Sequence, residues 1–336
     1  MWKEKALKTN MRFILFPLTI LYWIIIQVRN LFYDLGVLRA VKIDCKVISV
    51  GNISSGGTGK TPTTIYLASL LSEKGKKVGI LSRGYGRKTS GAIVASDGTG
   101  NIEAWETIGD EPFMMAQKLP EVPIVVDSNR VRGGNLLISK FGVDHIILDD
   151  GYQHRRLHRE TDIVLIQEET KPGVFWSLLP TGFYREPLSS LKRSSAIILS
   201  KSNIVSPDTS FIDLLSEFNK PLFQSELRPD PETGMLSDKK VMLLAGIGNP
   251  SAFNDLVTRS GIQILGQRFF GDHHKFTSSD MKEIKMMFEM SKADVVLTTE
   301  KDFVRLVGLN PEFPVVPFRV NLQCSREEEL LNLILS

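Results

Sequence analysis

The stretch Val47-Ile-Ser-Val-Gly-Asn-Ile-Ser-Ser-Gly-Gly-Thr-Gly-Lys-Thr61 constrains this chain more than any other. A short apolar run passes into a loop of small residues. Gly59-Lys60-Thr61 then opens a helix with Pro62 in its first turn, where proline is tolerated. Glycines let backbone N–H groups turn inward around a phosphate chain, and a helix N-terminus adds a favourable dipole. Ser55, Gly56, Gly57, Thr58, Gly59, Lys60 and Thr61 are thereby expected to bind a nucleotide. Lys60 is placed to reach the β- and γ-phosphates and the Thr61 hydroxyl to hold Mg²⁺. The strict pattern asks for glycine at position 54, where this chain has Ser54, so Gly56 and Gly57 are expected to supply the flexibility. A chance glycine-rich turn is the bland alternative, and the agreement of strand, loop and helix cues opposes it.

From Val47 onward, short Val/Ile-rich runs recur: Val47–Val50, Val78–Leu81, Ile124–Val126, Ile146–Leu148, Ile163–Ile166, Ala196–Leu199, Val241–Ala245 and Val295–Leu297. Continuous apolar runs of this length suit strands buried on both faces of a parallel sheet. Pro62–Lys74 and Pro112–Lys118 are among the intervening stretches that suit helices. The fold class is therefore α/β: a P-loop NTPase-like, mostly parallel sheet flanked by helices, with a smaller α/β second domain and an N-terminal hydrophobic helix. The length of 336 residues agrees with about two domains. The expected division is 1–45 as membrane-associating helix and linker, 46–205 as the P-loop core, and 206–336 as the smaller domain. Pro207, Pro221 and the turn-rich 228–234 mark the boundary.

Lys plus Arg number 41 and Asp plus Glu 38, a net charge of +3, without the basic excess of a nucleic-acid-coating protein. Two cysteines, Cys45 and Cys324, exclude a disulfide framework or a Cys-rich zinc site. Phe13–Val28 carries no charge, with Lys3, Lys5, Lys8 and Arg12 before it and Arg29, Arg39, Lys42 and Lys46 after. Its 16 residues reach about 24 Å as a helix, short of the ~30 Å hydrocarbon core. A short span or interfacial anchor competes here with a buried core helix and with a cleaved signal peptide. The last lacks a small-residue cleavage pattern.

His145-Ile-Ile-Leu-Asp-Asp-Gly-Tyr-Gln-His154 reads as an apolar strand ending in two carboxylates. A strand-terminal Asp in such proteins meets the Mg²⁺ shell, and Asp149 is first in line. Asp150 stands behind the metal or helps hold the attacking group. The alternative is a pair of solvated loop acids. From the residues alone Asp110, before Glu111-Pro112, reads as a plain helix cap. Asp272-His273-His274 reads as loop histidines, or as three of the ligands a zinc site would need.

Taken in order, several segments resemble the tetraacyldisaccharide 4'-kinases of lipid A biosynthesis. They are Ser49–Ser54, Gly56–Pro62, Ser82–Tyr85, Gly109–Pro112, Leu148–His154, Arg185–Pro187, Ala245–Pro250, Asp272–His274 and Thr299–Asp302. The resemblance implies ATP-dependent, Mg²⁺-assisted phosphorylation of the 4'-hydroxyl of a tetraacylated glucosamine disaccharide 1-phosphate. It also implies attachment to the cytoplasmic face of the inner membrane through the N-terminal helix. It makes Asp110 the catalytic acid–base group, paired with one of the two histidines, His273 before His274. Lys60 and Asp150 complete the expected catalytic set, and Thr61 and Asp149 the metal set. Tyr85, Arg130, Gln153, His154 and Arg185 are the expected contacts to the anionic lipid substrate. No nucleic-acid or protein partner is expected.

Two other classes share the loop. A membrane-recruited switch ATPase would carry a lysine where this chain has Ser55. A GTPase would carry Asn-Lys-x-Asp after a late strand, of which Ser200-Lys201-Ser202-Asn203 and Thr299-Glu300-Lys301-Asp302 are loose echoes.

Overall fold

The structure is a computed structural model that describes residues 9–87, 89–167, 177–204, 208–234, 236–272 and 274–336. Helix α1 (Thr9–Asp34) leads into β1 (Lys46–Asn52), α2 (Lys60–Glu73), β2 (Val78–Ser82) and β3 (Ile93–Asp97). Next come α3 (Trp105–Ile108), α4 (Asp110–Lys118), β4 (Pro123–Val126), α5 (Arg130–Phe141), β5 (His145–Asp149), β6 (Thr161–Ile166) and β7 (Ala196–Ser200). They are followed by α6 (Thr209–Ser216), β8 (Leu222–Pro229), α7 (Pro231–Gly234), β9 (Lys240–Ala245), α8 (Pro250–Arg259) and β10 (Gln263–Phe269). The chain ends with α9 (Ser278–Ser291), β11 (Val295–Thr299), α10 (Glu300–Val307), β12 (Val315–Phe318), β13 (Val320–Cys324) and α11 (Glu327–Leu335).

The chain forms two compact units, Met1–Glu226 with Cys324–Ser336, and Leu227–Gln323. It leaves the first in β8 and re-enters it in β13. The sheet of the first unit runs β8-β7-β6-β1-β5-β2-β4-β3. Its pairs are parallel apart from β3, which joins β4 antiparallel. Successive side chains of a strand face opposite layers. Ile48, Ile147, Ile163 and Ile198 accordingly pack in one core with Leu67, Leu71, Met115, Leu330 and Ile334. Their neighbours Val47, Ile146 and Leu148 pack in another core with Leu81 and Leu137. Burial on both faces is why these strands read as unbroken apolar runs. Leu330, Leu331 and Ile334 also explain why the C-terminal helix belongs to the first unit and not to a continuous second domain.

The eight apolar runs all lie within strands, and the two expected helices begin two residues earlier than read, at Lys60 and Asp110. The second unit has four parallel strands in the order β10-β9-β11-β12 around Met242, Leu244, Ile284, Val296 and Leu306.

Helix α1 spans 26 residues, about 39 Å at the α-helical rise, longer than its uncharged segment. One face is docked on the first unit. Thr19 shares a 2.9 Å hydrogen bond with Thr181, the Tyr22 hydroxyl donates to Arg185 O at 2.9 Å, and Trp23 packs on the core containing Tyr152 and Tyr184. Arg29 donates to Gln153 O and Asn30 to the Glu186 carboxylate. The positions 19, 22, 23, 26, 29 and 30 form one helical stripe. Ile14, Leu18, Leu21, Ile25, Val28 and Phe32 lie on the remaining surface and are exposed. Only 11% of the apolar window is buried, which removes the buried core-helix reading. The flanking Lys3, Lys5 and Lys8 lie outside the described residues.

Candidate active site

The carboxyl ends of β1 and β5 create the site. Val50 lies abreast of Asp149, and Gly151 N–H donates to Val50 O at 3.0 Å. A Cβ on Gly51 would stand 2.6 Å from Tyr152 Cβ, so the crossing of the two segments requires glycine there. Beyond β1 the loop is laced to residues 183–186. Arg185 N–H donates to Ile53 O at 2.7 Å, and the Ser55 N–H and hydroxyl both donate to Phe183 O, at 2.6 and 2.9 Å. Ser54 forms an antiparallel bridge with Tyr184. Extended backbone accepts any residue, which accounts for the departure from glycine at 54. Gly59, at φ 86, supplies the left-handed turn directly before α2. The Asn52 side-chain amide donates to Thr58 Oγ1 at 2.8 Å and pins the loop from below.

Lys60 and Thr61 start α2. Lys60 Nζ is 3.7 Å from Asp150 Oδ1. Arg185 Nη1 reaches both oxygens of the same carboxylate at 3.2 Å. Burial opposes ionisation of Asp150, but Lys60 and Arg185 outweigh it and hold its carboxyl below the usual range. Asp150 takes φ 49, a left-handed conformation that Asp tolerates better than most residues.

Asp149 is 2% exposed. Ser82 Oγ donates to its Oδ2 at 3.0 Å and Thr64 Oγ1 to its Oδ1 at 3.5 Å. Burial pushes its carboxyl up, and the nearby charges of Glu111 and Asp150 add to the effect. Glu111, Ser82 and Thr64 were not singled out in the sequence. Glu111 and Ser82 nevertheless lie inside Gly109–Pro112 and Ser82–Tyr85, and Thr64 lies one helical turn beyond Lys60.

Asp110 is the first residue of α4 and is 7% exposed. Its Oδ1 accepts from Glu111 N–H at 2.9 Å, so the carboxylate is held in the first turn; the N-cap is Gly109, with no side-chain cap bond, and the plain-cap reading of Asp110 does not hold. A Cβ on the preceding Gly109 would lie 3.0 Å from Tyr85 O, which brings the exposed Tyr85 turn alongside Asp110. Arg130 is 3% exposed and donates through Nη1 to Asp127 O and Ser128 O at 2.9 and 3.3 Å. Its Nε is buried without a partner. Burial lowers its pKa to about 10, while Asp149 and Asp150 oppose the fall.

The Gln153 amide donates to Asn52 O at 2.8 Å and thus fastens the segment to β1. His154 Nε2 is buried without a partner. Burial, then the charges of Arg130, Arg159, Arg29 and Arg156, lower its pKa to about 4, so the ring is neutral near pH 7. The first unit thus brings together Lys60, Asp149, Asp150, Arg130, His154 and Arg185 around the ends of β1 and β5.

His273 lies outside the described residues. In the second unit His274 stacks on Phe270 at 4.4 Å, and its Nε2 is 3.1 Å from Asp280 Oδ2, within the capping box of α9. That histidine is engaged in local structure. Among the described residues no cluster of three His, Cys, Asp or Glu side chains is arranged to hold a metal.

A family model described as tetraacyldisaccharide-1-P 4'-kinase matches residues 11–336. The tetraacyldisaccharide 4'-kinase of Aquifex aeolicus is 37% identical over 326 residues, covering 95% of this chain and 97% of that one. The corresponding protein of Halothermothrix orenii is 36% identical, covering 88% and 83%. The crystal structure of the Aquifex aeolicus enzyme in complex with ATP superposes with a TM-score of 0.79 at 36% identity, over 97% of this chain and 98% of that one. The chain belongs to the tetraacyldisaccharide-1-P 4'-kinase family.

Proposed function

We propose that this chain transfers the γ-phosphoryl group of ATP to the 4'-hydroxyl of a tetraacylated glucosamine disaccharide 1-phosphate, a step of lipid A biosynthesis. The observation that carries the reading is Lys60 and the Asp149–Asp150 pair converging at the ends of β1 and β5, in a chain of this family. Ser55 to Thr61 receive the triphosphate. Lys60 neutralises charge that develops on its β- and γ-oxygens.

Thr61 and Asp149 are the residues that would hold Mg²⁺, which supplies charge neutralisation on the phosphates. The donor set fits: all are hard oxygen ligands, and the buried Asp149 carboxylate is crowded by two negative neighbours. Mg²⁺ keeps water and phosphate oxygens in its shell, so a full cage of side chains is not required.

Asp110 accepts the proton of the acceptor hydroxyl, and its place at a helix N-terminus favours the ionised form this needs. His273 keeps the role that the family resemblance implies. Asp150 holds Lys60 and Arg185 in place around the transferring group. Tyr85, Arg130, Gln153, His154 and Arg185 face the anionic sugar. In particular, the buried unpartnered Arg130 Nε and neutral His154 Nε2 offer hydrogen-bonding capacity.

The exposed apolar stripe of α1 rests on the cytoplasmic face of the inner membrane, where such a lipid headgroup lies. The test is transfer of labelled γ-phosphate from ATP to lipid A disaccharide 1-phosphate, with Lys60→Ala alongside. Labelled glycolipid from wild type alone supports the reading. ATP hydrolysis with no lipid product would replace it with a switch ATPase.

A further inference from the structure

Arg185 and Glu186 are neighbours in the chain that send their side chains to different partners. Both N–H groups donate to Ile53 O, at 2.7 and 3.3 Å, which seats the pair beside the start of the phosphate loop. The Arg185 guanidinium reaches Asp150, with Nη1 at 3.2 Å from either oxygen. The Glu186 side chain is buried, at 1% exposure. There Arg193 grips it with two prongs, Nη1 donating to Oε2 and Nη2 to Oε1, each at 2.8 Å. Asn30 of α1 donates to the same Oε2 at 3.2 Å.

Arg193 holds a second partner, Tyr152, two residues beyond Asp150. Its guanidinium carbon lies 3.9 Å from the centre of the Tyr152 ring, and Nη2 reaches Tyr152 O at 3.5 Å. Tyr152 is fully buried, and its hydroxyl donates to Ser190 O. One guanidinium therefore joins the residue after Arg185 to the residue two beyond Asp150. It braces from behind the two segments whose side chains meet in the Arg185–Asp150 contact.

Stability alone does not call for such a brace. A buried ion pair gains little over apolar side chains of the same volume, because desolvation offsets the attraction. What a two-pronged guanidinium–carboxylate pair adds is fixed geometry. Here that geometry is the spacing of the segments that carry Arg185 and Asp150.

We propose that Glu186, clasped by Arg193, is a positioning residue for phosphoryl transfer: it sets the reach of Arg185 to Asp150 and, through Asp150, that of Lys60. This rests on the kinase reading above. Glu186 acts through Arg185 and Asp150 and not on the reacting atoms themselves.

The test is a double-mutant cycle on the full-length protein, read as transfer of labelled γ-phosphate from ATP to lipid A disaccharide 1-phosphate. The four proteins are wild type, Glu186→Gln, Arg185→Ala and the double variant. Glu186→Gln keeps the side-chain shape but weakens the clasp. It should lower kcat by about 10- to 100-fold, the scale of a small misplacement within a site, with KM for ATP nearly unchanged. In the Arg185→Ala background the same substitution should cost little more, because the contact it positions is already gone. Equal losses in both backgrounds, or a wild-type kcat in Glu186→Gln, overturn the assignment and leave an ion pair that serves the fold alone. Arg193→Lys keeps the charge and gives up the two-pronged grip, and it carries the same cycle if Glu186→Gln fails to fold. A wild-type protein that yields no labelled glycolipid overturns the kinase reading, and the positioning role with it.

Discussion

Lys60 Nζ stands 3.7 Å from Asp150 Oδ1, so the lysine proposed to meet the phosphate chain is held by a carboxylate of its own site. Both side chains are largely shielded, and Arg185 shares the carboxylate. Incoming phosphate oxygens meet a lysine already ordered, and a preordered charge costs little reorganisation during transfer. Lys60→Ala is expected to lower kcat by about 10²–10³-fold, the usual loss for one preorganised stabilising donor. Measured by labelled phosphate transfer at saturating lipid, a variant within about threefold of wild type would remove Lys60 from that role.

Asp110 both accepts the Glu111 N–H in the first turn of α4 and is the proposed proton acceptor, and the two roles separate by substitution. Asp110→Asn keeps an oxygen for the Glu111 N–H but removes the basic carboxylate. Loss of general-base assistance lowers kcat by about 10²–10⁴-fold. The melting temperature should stay near wild type, because the bond from Glu111 N–H survives. A purely structural role would give the reverse pattern in Asp110→Ala: a lower melting temperature with little change in kcat.

The buried Asp149 makes stability depend on pH in a stated direction. Its folded-state pKa is raised, first by burial and then by Glu111 and Asp150. Between its unfolded and folded pKa values the native state therefore binds more protons than the unfolded chain. Stability is full below about pH 4 and falls as pH rises through the folded value. In chelator, Asp149→Asn should melt above wild type at about pH 8, with the gap closing toward about pH 4. Mg²⁺ should raise the wild-type melting temperature more than that of the variant. Parallel melting curves across the pH range would show that Asp149 carries no such burden.

Legibility in the sequence followed burial. Strands covered on both faces, such as Ile163–Ile166 and Ala196–Leu199, declare themselves by composition. Strands β3, β8, β10, β12 and β13 did not. Leu222–Pro229 and Gln263–Phe269 alternate between covered and more exposed positions, which breaks the apolar run. At the site, Lys60, Thr61 and Asp149 were legible because strand, loop and helix fix their positions locally. Ser54 looked like a defect because its bridge partner, Tyr184, is 130 residues away. Glu111 and Ser82 act across strands, and nothing local to either marks which strand end it will face.

Helix α1 docks one face on the first unit and leaves the other exposed, so the proposed membrane attachment can be tested apart from folding. Tyr22, Arg29 and Asn30 hydrogen-bond the first unit, while Ile14, Leu21 and Ile25 point away from it. Charges on the outer stripe would meet water in the free protein and hydrocarbon in a bilayer, so their cost falls on the bound state alone. The triple substitution Ile14→Lys, Leu21→Lys and Ile25→Lys should abolish flotation with phospholipid vesicles while leaving the melting temperature nearly unchanged. Tyr22→Phe removes the bond to Arg185 O, beside the residue that grips Asp150, and leaves the outer face intact. It should therefore keep vesicle binding and lower activity on a detergent-dispersed substrate. Retained flotation by the lysine variant would place the membrane contact elsewhere on the chain.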